Sequence, residues 1–294
     1  MKIKSSPARK AFMVFDYIFL TIVTLISLFP LVHVLALSLS SDAAASGGLV
    51  SVLPVQFTLN SYIYIVQNPA FFRAFGISVI RVILGTVISL SFTMLSAYAM
   101  SQPDEDFHAR NFYVWFFIIT MIFSGGMIPL FMVVKMTKIY NTIWALVLPT
   151  AINVFNVILM QNFFKGLPRA LTESAFLDGA NHFQIMKDIV IPISKPSIAT
   201  VSLFTIVNHW NSWFDGMIYL ADTSKYPLQT YLKNVINSID VTSVDMNSVD
   251  ALKNVSQQTL TAAQIFVAII PILIVYPFLQ KYFVTGMTLG SVKG

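Results

Sequence analysis

Asn208, His209, Trp210, Asn211, Trp213 and Asp215 bring two flat indole rings, two amides, an imidazole and a carboxylate into one short stretch of chain. That set suits a polyhydroxylated ligand, because rings cover apolar C–H faces while amides and carboxylates exchange hydrogen bonds with hydroxyls. Asn208, Trp210, Asn211, Trp213 and Asp215 are therefore the substrate-binding candidates. An interfacial aromatic belt with polar glue between helices would use the same residues. Asp215 is costly against lipid, which directs it to a cavity or a partner, and the same cost predicts that Arg81, inside another apolar run, pairs with a carboxylate or a carbonyl. Asn153, Asn156 and Gln161 are weaker candidates, better suited to structural hydrogen bonds between helices.

Bond-making chemistry has no residues to carry it. There is no G-x-x-x-x-G-K-S/T run and no Gly-Lys pair at all, so the chain has no phosphate-cradling P-loop and any ATPase must be another subunit. The histidines His33, His108, His182 and His209 show neither H-E-x-x-H nor any paired spacing, and no G-x-S-x-G elbow occurs. Zero cysteines exclude a disulfide framework, a thiolate metal site and a cysteine nucleophile. Catalytic residues, a metal site and a bound cofactor are accordingly not expected.

The elements that must position the candidates are membrane spans. With 56% hydrophobic residues, 11% charged residues and a mean hydropathy of +0.74, the chain falls far from the roughly 25% charged of a soluble domain. Apolar stretches near the ~20 residues that cross a bilayer occur at about 11–39, 75–100, 111–134, 142–164, 197–221 and 261–284. The fold expected is all-α with six transmembrane helices, both termini on one side. With a cytoplasmic N-terminus (1–10), that side holds Lys2, Lys4, Arg9, Lys10, Arg110, Lys165, Arg169, Lys187, Lys195, Lys281 and Lys293. The other holds Arg73, Lys135, Lys138, Lys225, Lys233 and Lys253. Both termini are thus expected in the cytoplasm. The net charge of +5 lies at the ends of apolar runs instead of on one face, which argues for a membrane and against nucleic acid. A secretory signal is disfavoured, since the run from Ala11 to Leu39 exceeds the ~7 to 15 residues of a signal core; Pro30 and His33 interrupt a span that neighbours can cover. Gly125, Gly126 and Pro129 should break the third span, leaving Met127 to Val134 interfacial or re-entrant. Outside, Leu228, Leu232, Val235 and Ile236 recur at helical spacing after Pro227, a helix that either packs on its own protein or serves as a platform for an external receptor.

One polar, small-residue segment stands between two apolar runs. Pro168 suits a first helical turn, Glu173 and Asp178 stay solvated, and Gly179 permits a reversal before Asn181 caps a second short helix expected to end ahead of Pro192. Ala170, Ser174 and Ala175 allow close approach, and Glu173 is placed to meet a basic group across an interface. An ordinary amphipathic surface helix, or a chance helix-turn-helix, is the plainer alternative.

The pattern E-x-A-x-x-D-G-A from Glu173 through Ala175, Asp178 and Gly179 to Ala180, followed by Ile189-Val190-Ile191-Pro192, resembles the coupling loop (EAA motif) of binding-protein-dependent ABC import permeases. Ser174 stands where that family has alanine. Further matches are Asn60-Ser61-Tyr62 with Phe71-Phe72-Arg73, Ile128-Pro129-Leu130, Asn141-Thr142-Ile143-Trp144 with Leu148-Pro149, and the ending Gly286 to Gly294. They cover nearly the whole chain and are similar to the six-span permease of carbohydrate importers of the maltose type, in its LplC-like branch. The resemblance implies an importer transmembrane domain over 11–294 with a cytoplasmic coupling loop at 166–192 between spans four and five. Glu173, Ser174, Ala175, Asp178, Gly179, Ala180 and Pro192 would be its ATPase-coupling residues. It also implies a second permease in a heterodimer and two ATP-binding subunits carrying ATP and Mg. An extracellular or periplasmic sugar-binding protein and a bacterial cell membrane complete the set, with a cytoplasmic tail at 286–294 that can reach the ATPases. An ion-coupled secondary transporter would instead need charged relays and paired broken helices, for which His209 with Asp215 is thin support. A permease for a non-sugar solute is the other alternative.

Overall fold

A computed structural model describes residues 6–238 and 257–290, and every regular element among them is helical. The sequence explains why: long apolar runs in lipid can satisfy their backbone groups only within a helix. The chain divides into two compact units, Met1–Pro69 with Val235–Ile270, and Ala70–Asn234 with Pro271–Gly294.

In the first unit, α1 (Pro7–Ser38) starts where the Ser6 hydroxyl accepts from the Arg9 N–H at 3.3 Å. Its Thr21, Thr24 and Ser27 hydroxyls bond to the carbonyls four residues back, so none is left bare on an apolar surface. Pro30 lies within the helix, and His33 Nδ1 meets the Ser51 carbonyl at 2.7 Å. Helices α2 (Asp42–Ser46) and α3 (Asn60–Gln67) follow, with Ala36, Ala44 and Val50 forming a small core.

The second unit is built on α4 (Pro69–Ser101), about 50 Å long at ~1.5 Å per residue. Next, α5 (Arg110–Ile122) turns through 115° into α6 (Met127–Met136). The expected third span is therefore not one helix. Thirteen residues of α5 reach only about 20 Å against a ~30 Å hydrocarbon core, and the turn falls at Ser124-Gly125-Gly126. α7 (Trp144–Val147), extended by a tight turn to Thr150, bends 48° into α8 (Val154–Lys165). Then come α9 (Arg169–Leu177), α10 (His182–Ile185), α11 (Ile191–Ile193), α12 (Lys195–Asn211) and α13 (Phe214–Tyr219). The expected fifth span at 197–221 is thus interrupted at Ser212 and Trp213. α14 (Leu228–Ser238) follows Pro227 as the apolar spacing predicts. It packs on its own protein: Leu228 and Leu232 are buried, Tyr231 meets the Phe71 ring edge-on, and the Leu228 N–H donates to Ser78 Oγ at 2.7 Å. Leu228 and Leu232 of the apolar stripe are thus covered by the protein itself, and Val235 is half-buried. α15 (Gln257–Gly290) carries the helix through Gly286, and the expected tail is helical as far as Gly290. The remaining tail residues, the first five residues and Asp240, Asp245, Asp250 and Lys253 lie outside the described residues.

Among the described residues, three helices are singly long and apolar enough to cross a membrane, α1, α4 and Gln258–Phe278 of α15, and three bent pairs pass the same test together.

Candidate functional site

The two-helix loop is locally determined by its sequence. α9 ends in a Schellman motif: the Gly179 N–H donates to the Phe176 carbonyl at 3.0 Å and the Ala180 N–H to the Ala175 carbonyl at 2.9 Å. Gly179 has φ +84°, the left-handed conformation this motif requires, and a Cβ there would meet nothing within 4 Å. Backbone geometry, not space, selects glycine. Asn181 and Gln184 then close a capping box, side chain to backbone in both directions, at 3.0 and 2.8 Å. The second helix does not end ahead of Pro192. It widens into a π-helical turn over Met186–Val190, in which the Ile191 N–H reaches back to the Met186 carbonyl, and runs on through Pro192 to Ile193. The wider turn accommodates a residue that lacks an N–H and crowds the carbonyl four positions back.

The halves of this loop differ in burial. Ile185, Met186 and Val190 are buried in a core with Ala97, Met100, Val157, Met160 and Val201, against which Ala175 and Ala180 also pack. His182 Nδ1 lies 3.1 Å from the Tyr98 hydroxyl on α4, and its ring meets Phe176 edge-on at 5.0 Å. α9 by contrast buries no residue, and Leu177 is 89% exposed. Glu173 and Arg169 line a cleft of about 850 Å³ together with Asp106, Arg110 and Lys165. Ser174 bonds back to the Leu171 carbonyl at 3.2 Å, and Asp178 is exposed as the C-cap of α9. The result is a solvated helix joined through Gly179 to a second helix that buries one face.

The second constellation is a cavity of about 320 Å³ lined by Ser89, Thr150, Asn153, Phe155, Asn156, Phe204, Thr205, Asn208 and His209. Among the predicted substrate residues it contains only Asn208. Trp210 is 4% exposed, with its ring edge-on to Phe75 at 5.7 Å. Asn211 is exposed outside the cavity lining, and Trp213 packs edge-on against Phe214 with Lys233 Nζ 5.5 Å from its ring. Asp215, itself half-buried, forms an ion pair with the buried Arg81, the carboxylate partner expected for that arginine. Asn153 caps α8 by accepting from the Asn156 N–H at 3.2 Å, and Gln161 Nε2 donates to the Met100 carbonyl at 2.8 Å; both serve as structural hydrogen bonds and Asn153 also reaches the cavity. Sequence reading overlooked Ser89, Thr150, Phe155, Phe204 and Thr205. A signal was available for Ser89: Ser78, Arg81, Gly85, Ser89 and Thr93 recur every three or four residues along an otherwise apolar α4 and are all buried.

Helices alone among the described residues, several of them apolar enough to cross a membrane, a two-helix loop with one solvated arm and a polar cavity together fit a membrane transport component. The chain belongs to the family of binding-protein-dependent transport system inner membrane components, whose model matches residues 107–289. It is 40% identical to the polygalacturonan/rhamnogalacturonan transport system permease protein YtcP of Bacillus subtilis, across 95% of this chain and 96% of that one. Identity to protein LplC of the same organism is 39%, covering 99% and 97%. A crystal structure of a bacterial ABC transporter involved in import of the acidic polysaccharide alginate contains a chain 33% identical to this one. It superposes with a TM-score of 0.87 over 96% of this chain and 100% of that chain.

Proposed function

We propose that this chain is the membrane-spanning permease subunit of an ATP-driven importer for an oligosaccharide delivered by an external binding protein. The observation that carries the reading is the pairing of an exposed α9 with a second helix that buries one face, Ile185, Met186 and Val190, in a core shared with α4, α8 and α12, a lever by which another subunit's movement can reach the cavity. In this reading α1, α4, α15, the bent pairs α5 with α6 and α7 with α8, and α12 with α13 are six spans, and the loop at 166–192 faces the cytoplasm. The complex has two ATP-binding subunits holding ATP and Mg, and one of them docks on α9, with Glu173, Ser174, Asp178 and Gly179 at the contact and Ala175, Ala180 and Pro192 supporting it from behind. A second permease completes the heterodimer and the substrate path. The cavity wall supplied here is amides, hydroxyls, one imidazole and the rings of Phe155 and Phe204, groups that fit sugar hydroxyls and C–H faces. YtcP is named for polygalacturonan and rhamnogalacturonan and the alginate transporter for an acidic polysaccharide, and among the described residues no arginine or lysine lines this wall.

Uptake by the complete complex in proteoliposomes, driven by sugar-loaded receptor, tests the reading. Asn208→Ala is expected to lower uptake per assembled complex severalfold at unchanged abundance, consistent with the ~1 kcal/mol of a lost hydrogen bond. Trp210→Ala should act differently, because deleting a buried indole costs about 3 to 5 kcal/mol of packing. Its loss should appear as missing assembled protein. The opposite pattern, with Asn208→Ala silent and Trp210→Ala well assembled yet inactive, would shift the substrate contact to the Trp210 face. Topology is checked separately: cysteines placed at Ser5 and Ser291 should both react only from the cytoplasmic side, and labelling of either from outside would reject six spans.

A further inference from the structure

The Arg81 and Asp215 pair joins three elements. Arg81 is 1% exposed in the middle of α4, where an unpaired charge is costly. Its Nη1 donates to Asp215 Oδ1 at 3.2 Å and to the Ser212 carbonyl at 3.1 Å, while Nη2 donates to Asp215 Oδ2. Asp215 Oδ1 also accepts from the Ser212 hydroxyl and the Gly216 N–H, each at 2.9 Å. Ser212 is the C-cap of α12, and Asp215 lies in the first turn of α13. The cation therefore sits at a helix C-terminus and the anion at a helix N-terminus, each at the favoured end of a backbone dipole. One turn before the break, Asn208 and His209 line the cavity together with Ser89, two turns beyond Arg81 on the same face of α4.

We propose that Arg81 and Asp215 are positioning residues that fix the break between α12 and α13 and so aim Asn208 and His209 into the cavity. Asp215 is then not a sugar contact. Both its oxygens are already engaged, and drawing it toward a passing ligand would strand Arg81 in an apolar span. This assignment rests on the cavity being part of the substrate path.

Two neutral substitutions separate a positioning pair from a sugar acceptor. In the complete complex, Arg81→Gln and Asp215→Asn should each lower uptake per assembled complex tenfold or more, because each leaves one buried charge alone. The double variant should recover at least threefold over either single, since no lone charge remains and the amides can still bridge Ser212 and Gly216. The native chain has no cysteine, so Asn208→Cys and Thr150→Cys report the cavity wall cleanly through their reaction with a small membrane-impermeant thiosulfonate. The Asn208→Cys rate should change at least threefold in the Arg81→Gln background, or in the double variant if the singles do not assemble. The Thr150→Cys rate should hold. A double variant as poor as Asp215→Asn, with an unchanged Asn208→Cys rate, would make Asp215 a sugar contact and overturn the proposal. Wild-type cysteine rates in every variant that assembles, or no variant assembling, would assign the pair to folding alone and overturn it equally. The cavity reading fails by a different result: in the otherwise native background, both cysteines would be unreactive, or their modification would leave uptake intact.

Discussion

ATP hydrolysis stimulated by the sugar-loaded receptor is expected to fall tenfold or more when Glu173 becomes lysine, with the chain inserted and assembled at normal levels. Glu173 is exposed on α9, which buries none of its residues, so the substitution removes no packing. What changes is the charge offered to a docking partner. A charge-assisted hydrogen bond contributes about 1.5 to 3 kcal/mol, and reversal replaces that attraction with repulsion, so a tenfold effect is the lower bound. Gly179→Trp attacks the same element through its backbone. Any L side chain at φ +84° incurs left-handed strain of roughly 1 to 2 kcal/mol, and Gly179→Ala should uncouple nearly as well because the position is open. A tryptophan variant much worse than the alanine variant would show that the ring obstructs the partner. Normal stimulation in Glu173→Lys and Gly179→Trp together would reject α9 as the coupling surface.

Local features were the most legible. Pro168, Gly179 and Asn181 mark a start, a reversal and a cap because each acts locally; Gly179 and Asn181 have the expected geometry, while Pro168 stands one residue earlier than expected, at the N-cap of α9. The π-helical turn that carries the helix through Pro192 was not legible. It depends on Met186 and Val190 being held in the bundle core, a tertiary constraint that overrides proline's local preference. The amphipathic helix at Leu228–Ser238 shows the same division: its spacing was readable, but its partner was not. Contacts with Ser78 and Phe71, far away in sequence, are what show that its first turns pack on the protein itself.

The surroundings of the substrate candidates were illegible in a similar way. Trp210 and Asp215 were singled out by residue type, yet side-chain direction on α12 sends Trp210 against Phe75 and the helix break turns Asp215 toward Arg81. Residue type reported what these groups could do, and helical phase decided what they face. The more useful periodic signal lay in α4, where small and polar residues recur along one stripe. Small residues at such spacing mark close helix approach within a membrane.

That stripe yields the second large effect. A Cβ on Gly85 would lie 2.4 Å from Nε2 of His209 and 2.6 Å from two other atoms of its ring, closer than side chains ordinarily approach. His209 is 4% exposed, and Arg81 fixes the end of its helix one turn away along α4. The imidazole therefore has to swing into the cavity or α4 and α12 have to separate. Overpacking of this kind costs typically 1 to 3 kcal/mol, and a leucine adds more volume than any rotation of one ring can absorb. Gly85→Leu is thus expected to reduce assembled complex at least tenfold, and Gly85→Ala to lower its thermal midpoint by several degrees. The contact with His209 makes a specific claim: adding His209→Ala to Gly85→Ala should restore most of the lost midpoint, because the methyl then occupies space the ring vacated. Ser89→Ala, on the same stripe but beside the cavity, should leave the midpoint nearly unchanged. Thermal denaturation of the detergent-solubilised complex measures all four variants. Assembly of Gly85→Leu at wild-type levels, or no recovery on removing the imidazole, would mean that α4 and α12 do not meet through this glycine, and that the cavity wall carrying Asn208 is positioned by other contacts.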